Sequence, residues 1–331
     1  MVRGYRVVFK APGVVKVESF DVIPPSRHQV LIRNILTLIS PGTEIAFLMA
    51  LPNTPRKFPM YPGYSSVGII EEIGEDVKEF KRGDLVVATA PHASHVVVHA
   101  DNVYKVPEGV DVKDAVFFTL SCIALQGVRK ARIELGESVA VIGEGIVGQL
   151  ATQLARLSGA IPVIGLDLYN TRLKIAQRLG ADVVLNPSRS DFMREFLRVT
   201  DGEGAKVVIE ATGNPQAINL ALKLASHRGR VILLGSTRGK STVNFYSDVH
   251  KKGLIIIGAH NSIRPKYESY EAYWTFKDDL KVVFRLLKSK RLKVRELLSD
   301  IIPFTETPEA YRRLREEKER YITIALDWRK A

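Results

Sequence analysis

The chain has 331 residues, 46% of them hydrophobic, which is enough for about two domains, each with its own core. Its formal net charge of +12 is dispersed among acids, as in RRLREEKER (312–320) and EEIGEDVKEFKRGD (71–84), so a dedicated nucleic-acid role is not expected. The single Cys122 excludes an internal disulfide framework and a four-cysteine zinc lobe. With no h-region near the start and no run of about 18 apolar residues, a cytoplasmic protein without membrane spans is expected.

In chain order, residues 1–122 alternate short β-type runs with turn signals: VRGYRVVFK, HQVLIRNILTLIS, SSVGIIEEIG, DLVVATA, SHVVVHA and DNVYKVPEG. Pro/Gly loops such as ALPNTPRKFPMYPG separate them, which predicts a mostly antiparallel β domain. Over residues 123–262 the grammar changes. The runs SVAVIG, IPVIGLD, DVVLN, KVVIEA, RVILLG and LIIIGA are too uniformly apolar for a half-exposed sheet. Amphipathic segments such as IVGQLATQLARLSG and NTRLKIAQRLG lie between them, so this stretch is predicted to be α/β, a doubly wound parallel sheet. Residues 263–331 hold a helix-like KDDLKVVFRLLKSKRL, a helix start at TPEA and a closing YITIALDW strand, and are expected to return to the first domain.

The sharpest chemical signal is Gly143, Gly145 and Gly148, a G-x-G-x-x-G between a buried-type strand and a helix. The first glycine permits the tight turn, the second lets backbone approach a pyrophosphate, and the third lets helix and strand pack closely. The amides of Ile146 and Val147 open the helix, where free N–H groups attract phosphate. Asp167 ends the next strand, nineteen positions after Gly148, where a carboxylate accepts bonds from ribose hydroxyls and repels a 2′-phosphate. NAD is therefore the expected cofactor. Arg172 keeps NADP as the alternative, since a nearby guanidinium tolerates phosphate.

Several further motifs extend this pattern over nearly the whole chain: PGTE (41–44), PGYSSVG (62–68), KRGDLV (81–86), ELGESVAVIGEGIVG (134–148), EATGNPQA (210–217) and GRVILLG (229–235). Together they resemble the medium-chain dehydrogenase/reductase family of alcohol dehydrogenase type. That resemblance implies a Rossmann domain inserted in a GroES-like catalytic domain, with Thr212 and Gly235 as further cofactor contacts. ISPGTE and PGYSSVG are also similar to a subgroup that includes the bacteriochlorophyllide dehydrogenase.

In zinc-dependent members the ligands are Cys, His and Glu. Here those positions carry Pro41, Tyr64 and Ser65, and the fourth falls near Thr119. Proline offers no side-chain donor, and hydroxyls are poor zinc ligands, so no metal is expected. Without metal, a side chain must hold the charge that develops on the substrate oxygen.

Thr43, Tyr64 and His92 are the catalytic candidates, and Ser40, Glu44, His260 and Asn261 the substrate-binding ones. Thr43 reads equally as a turn hydroxyl and Tyr64 as packing. The reading is a zinc-independent, NAD-preferring oxidoreductase of secondary alcohols, polyols or sugar derivatives, forming a homodimer or homotetramer through LIIIGA (254–259). The alternatives are a quinone or enone reductase and a non-catalytic dinucleotide-binding protein.

Overall fold

The computed structural model describes residues 3–331. The chain folds as two compact units, one running to Thr119 and resuming over Phe284–Ala331, the other Leu120–Val283. None of the helices among the described residues is long and apolar enough to cross a membrane.

The first unit is built on a seven-stranded sheet in which neighbours follow the order Leu298–Pro303, Thr323–Asp327, Gln29–Leu38, Ser66–Ile73, Leu85–Ala88 and Val103–Lys105. His95–His99 also pairs with Gln29–Leu38, and Arg3–Ala11 forms a separate antiparallel hairpin with Val14–Asp21. The central strand Gln29–Leu38 is buried along most of its length, so it reads as an apolar run and not as an alternating one. The chain's last strand joins it, Ala325 opposite Leu38 and Asp327 opposite Leu36. Over this side lies an aromatic core in which Phe9 meets Tyr311 edge-on at 5.1 Å and Phe304 stacks on Trp328 at 5.1 Å.

PGTE, where Thr43 reads above as a turn hydroxyl, is the start of a helix, Pro41–Leu48. Ser40 is its N-cap, and proline is favoured in the first turn because its missing N–H has no partner to lose there. The strand Val14–Asp21 also lies outside the expected runs.

The second unit is a six-stranded parallel sheet in the order Val183–Leu185, Val163–Leu166, Val139–Ile142, Ala205–Glu210, Ala225–Leu233, Ile255–Gly258. In chain order this is third, second, first, fourth, fifth, sixth, the doubly wound Rossmann arrangement, with its switch point beside Val139–Ile142. Both Val139–Ile142 and Val163–Leu166 are buried at every position, as their apolar composition requires.

Residues 263–283 lie in this unit and not with the first domain. Asp279 explains the placement: it pairs with Arg129 at 2.5 Å and with Arg264, whose guanidinium also donates to the Cys122 carbonyl at 2.6 Å.

Candidate active site

Two sets of side chains, one in each unit, hold the candidate residues. In the Rossmann unit, Val139–Ile142 runs into Gly143 at φ +93°, and the helix Ile146–Leu157 begins three residues later with Gly145 as N-cap. A Cβ on Gly143 would meet Thr212 Cγ2 at 2.5 Å, and one on Gly148 would lie 1.8 Å from the Gly143 carbonyl oxygen. At Gly145 the nearest atom is Arg172 Nη1, 3.9 Å from such a Cβ, so this face is open. A tight turn, close helix packing and an open backbone face above a helix N-terminus fit a dinucleotide pyrophosphate, with the Ile146 and Val147 amides presented to it.

Asp167 Oδ2 accepts the Glu144 N–H at 2.8 Å and Oδ1 accepts the Tyr169 N–H at 2.9 Å, so backbone fixes the carboxylate at the strand end. Arg172 Nη1 lies 3.8 Å from Asp167 Oδ2, with its guanidinium over the Tyr169 ring. Below the loop, Thr212 N donates to Glu210 Oε1 at 2.7 Å and Gly213 N at 3.1 Å, while a Cβ on Gly235 would sit 2.4 Å from the Gly213 nitrogen. The Glu210 carboxyl is raised by burial.

Sequence reasoning missed Glu144. It is fully buried between the glycines, Oε1 accepts from Thr152 at 2.7 Å and Oε2 has no partner among the described residues. Burial, with Asp167's charge adding to it, raises this carboxyl to about 8. Gly165 makes room for it, since a Cβ there would lie 2.8 Å from Glu144 Oε1.

The second set lies in the first unit. A pocket of about 410 Å³ is lined by Glu44, Phe47, Lys57, Met60, Tyr61 and Tyr64 among others. The Tyr64 hydroxyl donates to Ser40 Oγ. Behind this pair Glu44 is 1% exposed and accepts from three donors: Ser40 N at 2.7 Å on Oε1, and His92 Nε2 at 2.9 Å with the Tyr311 hydroxyl on Oε2. Burial pushes the Tyr311 phenol far above its usual range, with Glu44's charge adding to the effect, so Tyr311 stays a donor. His92 is fully buried, with Nδ1 at 2.7 Å from Thr37 Oγ1, and Trp328 Nε1 donates to that same oxygen at 2.9 Å.

Of the expected residues, Ser40, Glu44, Tyr64 and His92 thus come together. Thr43 is half-buried on the same helix, and no hydrogen bond engages its hydroxyl among the described residues. His260 and Asn261 follow the strand Ile255–Gly258 in the other unit. Both are exposed, bonded to Ser262 at 2.7 Å and to Arg264 at 2.6 Å.

The donors at the family's zinc positions do not fit that metal. Pro41 lies in a helix turn, Ser65 Oγ donates to the Val116 carbonyl at 2.7 Å and Thr119 Oγ1 to the Tyr64 carbonyl at 3.0 Å, while Tyr64 is bonded to Ser40. None is a thiolate, imidazole or carboxylate.

Comparison with known proteins agrees with this architecture. Residues 26–108 match the family described as alcohol dehydrogenase GroES-like domain, and residues 147–276 the one described as zinc-binding dehydrogenase. The chain is 32% identical over 253 residues to a D-guloside 3-dehydrogenase of Escherichia coli, covering 75% of this chain and 72% of that protein. It is 28% identical over 340 residues to an L-threonine 3-dehydrogenase of Pyrococcus horikoshii, covering 92% and 93%. Its fold matches 2R,3R-butanediol dehydrogenase from Bacillus subtilis with a TM-score of 0.82 at 19% identity, over 98% and 99% of the two chains. The chain belongs to the medium-chain dehydrogenase/reductase family of alcohol dehydrogenase-like enzymes.

Proposed function

We propose that this enzyme interconverts a secondary alcohol of a polyol or sugar derivative and its ketone, using NAD(H) and no catalytic zinc. The observation that carries the reading is Tyr64, which lines the pocket at a position where the family carries a metal ligand and is hydrogen-bonded to Ser40 behind it. Because the Tyr64 proton is directed to Ser40 Oγ, the Ser40 proton remains available to donate to a substrate oxygen. The Tyr64 oxygen in turn can accept a hydrogen bond from the substrate hydroxyl, whose proton would pass to solvent as the hydride leaves, the phenol itself staying neutral. The pair thus supplies donor and acceptor to one oxygen, the task a metal otherwise performs. NAD, when bound, takes up the hydride from the carbinol carbon.

Asp167 supports NAD over NADP, because its carboxylate is held by two backbone amides where a 2′-phosphate would be repelled. The relatives named for a guloside, threonine and butanediol support an alcohol substrate, and the first favours a sugar derivative. A homodimer formed along Ile255–Gly258 is part of the proposal, since Ile255 is 55% exposed on a sheet edge.

The test is an assay of purified protein with NAD and NADP against sorbitol, xylitol, methyl glucosides and 2,3-butanediol, with quinones and enones as the contrasting set. NAD-linked oxidation of a polyol or glycoside is expected. Turnover confined to NADPH-dependent quinone or enone reduction would overturn the reading.

A further inference from the structure

We infer that Glu44, His92 and Tyr311 form a buried clamp that positions the Ser40–Tyr64 pair, with Glu44 as its central carboxylate; this rests on the proposed role of that pair. The hydrogen bonds have one consistent direction. Trp328 Nε1 can only donate, so Thr37 Oγ1 accepts from it at 2.9 Å; with the His92 ring protonated at Nε2, the Thr37 proton goes to Nδ1 at 2.7 Å. That leaves Nε2–H on His92 to donate to Glu44 Oε2 at 2.9 Å, beside the Tyr311 hydroxyl. With both ring nitrogens committed and no exposure, His92 orients other groups and does not itself meet substrate.

The clamp holds Ser40 directly by its backbone and the turn carrying Tyr64 two residues upstream. Glu44 Oε1 accepts the Ser40 N–H at 2.7 Å, fixing the residue whose hydroxyl receives the Tyr64 proton. His92 N donates to the Pro62 carbonyl at 2.8 Å, two residues before Tyr64. The intervening Gly63 has φ +103°, and a Cβ on it would lie 2.6 Å from His92 N and 2.8 Å from its ring. Glycine is therefore required where the Tyr64 turn is pressed onto His92.

Packing alone does not call for this arrangement. Thr37, Glu44, His92 and Tyr311 are all 1% exposed or less, amid the apolar cluster of Phe9, Leu48, Phe304 and Trp328. Apolar residues of similar volume commonly serve such a core as well or better. What the polar chain adds is a fixed direction for each proton, ending at the Ser40–Tyr64 pair, of which Tyr64 lines the pocket.

A double-mutant cycle on kcat tests this, using the best polyol or glycoside of the panel above as substrate. Tyr311→Phe keeps the ring against Phe9 and removes only the donor to Glu44. We expect Tyr311→Phe and Tyr64→Phe each to lower kcat by about tenfold or more with NADH affinity unchanged. Combined, they should cost no more than about twofold beyond Tyr64→Phe alone, because the clamp acts through the Ser40–Tyr64 pair that Tyr64→Phe already breaks. A purely structural Tyr311 would lower melting temperature without this coupling. Should Tyr311→Phe fail to fold, Glu44→Gln passes through the same cycle with the same expectation.

Additive effects alongside an impaired Tyr64→Phe, or an unimpaired Tyr311→Phe, overturn the clamp and leave the functional reading standing. An unimpaired Tyr64→Phe, or no alcohol turnover by the parent enzyme, overturns both.

Discussion

Replacing Glu144 by Gln should flatten the dependence of stability on pH. The side chain is fully buried in the glycine loop, and its carboxyl is raised from an ordinary 4.5 to about 8. Between those values the unfolded chain has released the proton that the folded chain still holds. The stability contributed by the neutral form is thus complete below 4.5, is lost as pH rises to about 8, and falls no further above it. At about 1.4 kcal/mol per pH unit, the whole span corresponds to about 5 kcal/mol. That is an upper figure, since relaxation around the ionised carboxylate reduces it. Glutamine keeps the shape and an acceptor for Thr152 but has no proton to lose. The variant should match the parent near pH 5 and exceed it by several kcal/mol at pH 9. Urea unfolding of the cofactor-free proteins at one-unit steps from about pH 5 to 9 reads this directly. Parallel stability curves for parent and variant would refute the reasoning.

Asp167→Asn should shift cofactor choice, raising NADPH affinity relative to NADH by about tenfold, because Arg172 would lose its carboxylate neighbour at 3.8 Å. Fluorescence titration with both dinucleotides checks it, and an unchanged ratio would place discrimination elsewhere. Light scattering at micromolar concentration should give twice the chain mass of 36.9 kDa. Ile256→Lys, which charges an edge-strand side chain that is 38% exposed, should return it to the monomer; a parent protein already monomeric would count against that interface.

What was legible in the sequence is local. The glycine triplet, its flanking strand and helix, and Asp167 lie within one short stretch, where spacing alone dictates the turn and the phosphate cradle. The buried strands announce themselves by composition, because both faces of a parallel sheet are covered. The helix Pro41–Leu48 had its signal in the Ser40–Pro41 pair, which reading Thr43 as a turn hydroxyl obscured. The clamp had none. Tyr311 meets Glu44 across 267 positions and Trp328 meets Thr37 across 291, contacts that exist only once the last strand has joined the central one. Glu144 was equally hidden, since a carboxyl among loop glycines reads as exposed until Gly165 is seen to leave space for it.

The central claim is that Tyr64 and Ser40 handle the substrate oxygen in place of a metal, with Ser65 and Thr119 already committed to backbone carbonyls. Its most direct test is zinc content and alcohol turnover measured on one preparation before and after exhaustive chelation. The account predicts no stoichiometric zinc and unchanged turnover. One zinc per chain, removed together with activity and restoring it on return, would contradict it.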